Sequence, residues 1–305
     1  YNGVISGMSM DGGRFFYPNP LSSDGKYAFN ADNTKTRQPW FGCACCPSNL
    51  CRFIPSVPGY LYGVKDNNIY VNLFAGNTST IKVQGKDVVL EETTEYPWNG
   101  DIKISVKKSG VKNANLLVRI PGWVRNQVVP SDLYKYSDAE KPAYTVTVNG
   151  KAVEADLDAN KGYLPVNNIK KGDVIRIHFD MPVRTVVANN KVADDKGKVA
   201  VERGPLVYCA EAVDNSNEPV LRAVVAKKPT FTLVDNYSIQ NTETKGAPAF
   251  SVKAIKTDAQ VLEEGANGIS VKNDKLTLIP YYAWNHRGAN EMNVWFIQSL
   301  SMLDK

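Results

Sequence analysis

From Gly59 onward the chain is written in short alternating runs: "YLYGV", "NIYVNLF", "TIKVQ", "DIKISV", "NLLVRI", "YTVTVNG", "DVIRIHF", "KVAVERG" and "GPLVYCA". Turn signals such as Asp66-Asn67-Asn68 and Asn149-Gly150 separate them. Alternation with period two places one side-chain set on each face of a strand, so each run needs neighbours and one apolar face needs a core. The pattern predicts a mainly β protein of antiparallel, jelly-roll-like β-sandwiches. A first sandwich is expected over residues 59–212. A second, smaller one is expected over residues 213–305, where "FTLV", "FSVKAI", "ISVKN" and "LTLIPYYAW" repeat the pattern more weakly and the last strand returns to the first sandwich.

Residues 1–58 have another texture, with small and aromatic residues mixed as in "GVISGMSMDGGRFFYPNPL" and a polar, loop-like stretch from Tyr17 to Gln38. A short helix is predicted over Ser48 to Ile54, with Pro47 suited to its start and Pro55 ending it. The first residues read as the inside of a domain. At 305 residues, roughly twice the usual domain length, the chain can bury its cores without staples.

Composition excludes two partner classes. No apolar run approaches the roughly 18 residues of a membrane-spanning helix. The net charge of +5 comes from 36 basic and 31 acidic residues, and the densest basic spots, Lys107-Lys108, Lys170-Lys171 and Lys227-Lys228, are pairs. A nucleic-acid binder needs a stripe.

Four of the five cysteines crowd into "WFGCACCPSNLC", Trp40 to Cys51, and Cys209 stands alone. Neighbours such as Cys45 and Cys46 do not bridge each other without distorting the peptide between them, and the cluster has too few distant partners for a disulfide framework. Two readings stay open. Thiolates are good zinc ligands, although there is no second well-separated ligand pair; His178 and His286 lie in strand-like contexts and read as core or surface residues. A nucleophilic thiolate needs an activating feature, and the helix start beside Cys45 and Cys46 supplies one. Cys51 is expected to pack within the helix, and Cys209 within a strand.

The stretch "WFGCACCPSNLCRFIPSVPGYLYGVKDNNIYVNLF" resembles the Cys-Cys-Pro-x-Asn segment of the β-L-arabinofuranosidases of glycoside hydrolase family 127 and the related family 146. "YNGVISGMSMDGGRFFYPNPL", "VRIPGWV", "VERGPLVYCAEAVDN" and "PYYAWNHRGANEMNVWF" extend the resemblance over nearly all of the chain. It implies that residues 1–58 are the tail of a catalytic α/α helical barrel followed by the two sandwiches. It further implies retaining release of terminal β-L-arabinofuranose, or of a related rare sugar, from a plant-type, arabinose-containing oligosaccharide, with Cys45 as nucleophile and Cys45 and Cys46 as zinc ligands. Cys43 lies in the same turn, is not a required ligand in the family pattern, and is expected to be a supporting residue. Tyr17 is expected to touch the sugar, because a tyrosine offers both a stacking face and a hydroxyl.

The family's remaining zinc ligands, its acid/base Glu and its sugar-binding histidines come from a helical region before the stretch that opens this sequence. The zinc site is therefore expected to be incomplete here and the chain alone inactive, with the N-terminal barrel region as a missing partner. The resemblance also allows a homodimer through a sandwich. A cytoplasmic or periplasmic bacterial setting suits such an enzyme. The competing reading is a non-catalytic β-sandwich that binds carbohydrate or assembles with partners. It would use Trp98, Trp123, Trp284 and Trp295 as a platform, where core packing is the plainer role for each.

Overall fold

The computed structural model describes residues 1–239, 250–265 and 268–299. The parts of the expected second sandwich at 240–249, 266–267 and 300–305 lie outside the described residues. The chain is mainly β and divides into two compact units, Tyr1–Arg52 with Ser131–Asp138 and Val183–Lys305, and Phe53–Pro130 with Ala139–Pro182.

The second of these units holds two sheets. One has six antiparallel strands in the order Lys151–Ala152, Tyr144–Val148, Val174–Phe179, Asp101–Ser109, Lys86–Thr94, Asn77–Val83. The other has four, in the order Tyr163–Val166, Asn115–Arg119, Asn68–Val71, Tyr62–Lys65. The alternation in the sequence becomes burial: Ile102, Ile104, Ile175 and Ile177 are buried, while Lys103, Arg176 and His178 between them face out. The expectation of purely antiparallel strands needs correction. Asn68–Val71 and Asn115–Arg119 run parallel, which is feasible because the chain between them crosses through the strands of the other sheet.

Tyr62 on the four-stranded sheet donates its hydroxyl proton at 3.0 Å to Glu92 on the six-stranded sheet, and the Ala75 N–H donates to the same carboxyl at 3.1 Å. No cation is among these partners, and burial pushes the Glu92 carboxyl up from 4.5 to about 7. The folded state therefore holds the proton more tightly than the unfolded chain. This contribution to stability is complete below about pH 4.5 and is lost as pH rises through about 7, a swing of about 3 kcal/mol. Glu92→Gln keeps the shape and removes the titration. Urea unfolding of the variant should match wild type at pH 5 and exceed it by about 2 to 3 kcal/mol at pH 8, and equal stabilities at pH 8 would refute this account.

The other unit contains an eleven-stranded sheet. The expected boundary at 212/213 falls inside it. Leu206–Glu211 pairs with Gly268–Pro280 and with Glu291–Asn293, and Lys198–Arg203 pairs with Phe296–Ile297. Strands from 183 onward share a core with the later ones, built on Val199, Val201, Tyr208, Ile255, Leu278 and Phe296. Residues 1–52 also belong to this unit. Ser22–Asp24, within the stretch expected to be a loop, pairs with Glu291–Asn293. A second parallel contact joins Val224 to Ile297.

Trp123, Trp284 and Trp295 are buried and cannot form a sugar platform; Trp98 is exposed. His286 is buried, accepting from the Met10 N–H at Nε2 and donating from Nδ1 to the Ala283 carbonyl. Burial, with Arg37 beside it, lowers its pKa to about 4. It is neutral and structural. Among the described residues no helix is long and apolar enough to cross a membrane.

Candidate functional site

The cysteine helix begins earlier than the sequence suggested, at Cys45 rather than Ser48, and runs to Ser56. Its first bond is Ser48 N–H to the Ala44 carbonyl at 3.2 Å. Pro47 sits in the first turn, where its missing N–H leaves nothing unsatisfied, and Pro55 is the penultimate residue instead of the stop. Cys45 and Cys46 thus lie in the first turn, where unpaired N–H groups favour negative charge. Pro47 and Leu50, three residues apart, form the buried stripe. Cys51, expected to pack, is exposed because it follows Leu50 by about 100° around the helix.

Phe15, Phe41 and Leu50 make a small core beneath this turn, with Met8, Tyr17 and Ala31 packed against it. Phe15 is fixed by reciprocal backbone bonds with Gln38 at 2.8 and 2.9 Å. The Tyr17 ring meets Phe41 edge-on at 4.7 Å. From there its hydroxyl reaches the helix start. It accepts from the Cys45 N–H at 3.2 Å and lies 3.4 Å from Cys45 Sγ.

These contacts separate the thiols. Cys45 is exposed, and the hydrogen bond from Tyr17 draws its pKa below the usual thiol range, with Cys46, Cys43 and its own N–H adding to the effect. Cys46 is half-buried and moves the other way, through burial and then the charge on Cys45. Tyr17 is pushed up to about 12, chiefly by its bond to Cys45. Tyr17 therefore keeps its proton near neutrality and donates it to Cys45 Sγ, the sulfur best disposed to be a thiolate. Cys43, Cys45, Cys46, Cys51 and Cys209 are all free thiols, and Cys209 is buried.

Two residues of the site escaped the sequence reading. Asn30 is buried, accepts from the Tyr17 N–H at 2.9 Å and donates to the Thr36 carbonyl at 2.9 Å. Asp32, held at φ 55, accepts from the Gly42 N–H at 3.0 Å, one residue before Cys43. Together they anchor the Tyr17 arm and the cysteine arm. The "NADN" cluster is visible as a turn signal, but its partners are not.

Cys45, Cys46 and Tyr17 are thus brought together. Thiols are the soft donors that zinc favours, so Cys45 and Cys46 fit such an ion in kind. They fall short in number: among the described residues no group of three or more His, Cys, Asp or Glu side chains could hold a metal ion.

Comparison with known proteins gives three consecutive family matches. Residues 1–59 match the GH127 catalytic domain of β-L-arabinofuranosidase, 68–181 the GH127 middle domain, and 183–297 the glycoside hydrolase family 127 C-terminal domain. The last boundary agrees with the division seen at Pro182 and Val183. A non-reducing end β-L-arabinofuranosidase of Bifidobacterium longum subsp. longum is 32% identical over 309 residues, covering 97% of this chain and 44% of the relative. Among solved structures, a GH127 β-arabinofuranosidase, BT3674, shares 49% identity at a TM-score of 0.86, covering 97% of this chain and 44% of that one. Ara127N-Se, a GH127 β-L-arabinofuranosidase from Geobacillus stearothermophilus T6, shares 31% identity at a TM-score of 0.77 with the same coverage. The chain spans less than half the length of these relatives. Its three domain matches, in family order and along nearly its whole length, make it a member of glycoside hydrolase family 127.

Proposed function

We propose that this chain is the C-terminal part of a retaining glycoside hydrolase that releases terminal β-L-arabinofuranose, with Cys45 as its nucleophile. The observation that carries the reading is the exposed Cys45 thiol, drawn down at a helix start by Tyr17 while Cys46 beside it is raised. Residues 1–59 contribute to the catalytic domain, which the family resemblance describes as an α/α barrel. The paired sheets of the middle unit, and the sheet of the C-terminal one, act as the β-sandwiches that support it.

In this reading Cys45 Sγ bonds to the anomeric carbon as the glycosidic C–O bond breaks. A carboxylic acid from the part of the catalytic domain outside this chain protonates the leaving oxygen and then activates the water that cleaves the C–S bond. Tyr17 holds the sulfur in line through its hydroxyl, so its role is to position Cys45 rather than to stack on the sugar. Cys45 and Cys46 would hold zinc together with ligands from outside the chain, and the ion would supply a charge that keeps the sulfur deprotonated.

The test is a substrate panel of aryl glycosides, applied to the protein extended to the length of its relatives. Release of β-L-arabinofuranose, with the β-anomer appearing first by NMR, is the expected result. Hydrolysis of a different sugar alone would move the substrate assignment, and first appearance of the α-anomer would exclude a covalent intermediate.

A further inference from the structure

The outward face of the six-stranded sheet carries a charge arrangement that the cysteine chemistry does not use. Arg176 stands directly across from Lys103, with Thr147 on its other side, and Lys103 stands across from Thr93. Like charges opposed across a strand pair destabilise a sheet unless something negative lies between them. Elsewhere on this sheet Lys82 and Lys108 pair with Asp87, and Lys107 with Glu91. Neither Lys103 nor Arg176 has an ion-pair partner among the described residues. Two acids at the end of this face are engaged elsewhere: His178, in the adjacent row, sits between Asp101 at 2.7 Å and Asp180 at 3.1 Å.

This face is hollowed. Thr93, Lys103, Thr145, Thr147, Arg176, His178 and the carboxylate Asp101 line a cavity of about 400 Å3, within the roughly 300 to 1,000 Å3 of small-molecule sites. Asp101 is tied to His178, which leaves Lys103 and Arg176 facing the cavity without a counter-charge among the described residues. No Phe, Tyr or Trp lines it, so a neutral sugar would find none of the broad rings it stacks on. What the cavity offers is a planar guanidinium suited to a two-pronged grip on a carboxylate, a second cation beside it, and threonine hydroxyls that both donate and accept.

We propose that this cavity binds the carboxylate of an acidic sugar, with Arg176 and Lys103 holding the charge and Thr93, Thr145 and Thr147 meeting ring hydroxyls. The choice of a sugar rests on the carbohydrate reading above; the requirement for an anion does not. The site would let the middle domain hold a uronic acid unit of a glycan.

The test is calorimetric titration of the full chain at low salt with a uronic acid trisaccharide, its methyl ester and inorganic phosphate. The acid should bind at roughly 0.1 to 1 mM, weaken as salt screens the charges, and bind at least about tenfold less well to Arg176→Ala and to Lys103→Gln. Both positions are exposed and their like charges oppose each other, so these variants should melt no lower than wild type, and Lys82→Ala on the same sheet should bind like it. Equal binding of acid and ester, or binding unchanged in both variants, would overturn the proposal. Phosphate binding without the trisaccharide would overturn the sugar while keeping the anion. Binding to neither would overturn both, and none of these results depends on hydrolysis at Cys45.

Discussion

Cys45→Ser is expected to lower turnover of an aryl β-L-arabinofuranoside by at least about 10³-fold in the protein extended to its relatives' length, and to abolish the covalent sugar adduct that the proposed mechanism predicts, with intact mass as the readout. The physical reason lies at the helix start. A thiol there can be drawn toward thiolate by the Tyr17 hydroxyl and the first-turn N–H groups, whereas a serine hydroxyl lies far above the reach of the same contacts. Tyr17→Phe separates positioning from chemistry. It removes the donor to Sγ and the acceptor for the Cys45 N–H, so turnover should fall by about 10- to 100-fold while the adduct still forms at Cys45. An adduct that persists in Cys45→Ser would place the nucleophile elsewhere, and Cys46→Ser is the first control, since its raised thiol argues against it.

The sequence made the strands legible because their alternation is local. Ile102, Ile104, Ile175 and Ile177 are where period two puts them. Pairing is not local, and that is where the reading failed. Nothing within "GPLVYCA" says that Tyr208 and Cys209 lie across from Pro280 and Ile279, so the weaker pattern after Asn215 looked like a new domain rather than the rest of one sheet. The site divides the same way. Cys45 and Cys46 came from the family resemblance, and their place at a helix start from the prolines. That Tyr17 bonds to Cys45 across 28 residues, or that Asn30 and Asp32 fix the two arms, depends on the fold of the loop. Cys51 depends on helical phase: one residue past the buried Leu50, it is turned about 100° from the packed face and outward.

Arg287→Ala is expected to destabilise the unit that carries the cysteines by about 3 to 5 kcal/mol at pH 7. Arg287 bonds to Glu211 at 2.7 Å and grips Asp214 with both terminal nitrogens, and both acids are almost wholly buried. Glu211 also accepts from the Asn285 N–H and the Asn290 amide, each at 2.9 Å, while Tyr237 donates to Asp214 at 2.9 Å. Arg287 is the cation that bridges the two acids. Even with it present, burial raises the Glu211 carboxyl above its ordinary range. Removing it raises the folded-state pKa of Glu211 further, so the stability tied to this carboxyl is retained below its unfolded value of about 4.3 and lost as pH rises. The deficit measured by urea unfolding should therefore shrink from pH 8 to pH 5, and adding Glu211→Gln should recover part of it at pH 8. A deficit under about 1 kcal/mol at pH 7 would show that the hydrogen bonds alone suffice. The effect should also reach the cysteines. Asn285 and Arg287 flank His286, Arg37 donates to the Trp284 carbonyl at 2.6 Å and the Ser6 carbonyl at 2.9 Å, and Gln38 next to it holds Phe15 beneath Tyr17. Loss of the half-buried cation is expected to loosen the frame on which Tyr17 meets Cys45, so maleimide labelling of Cys45 should become less dependent on Tyr17.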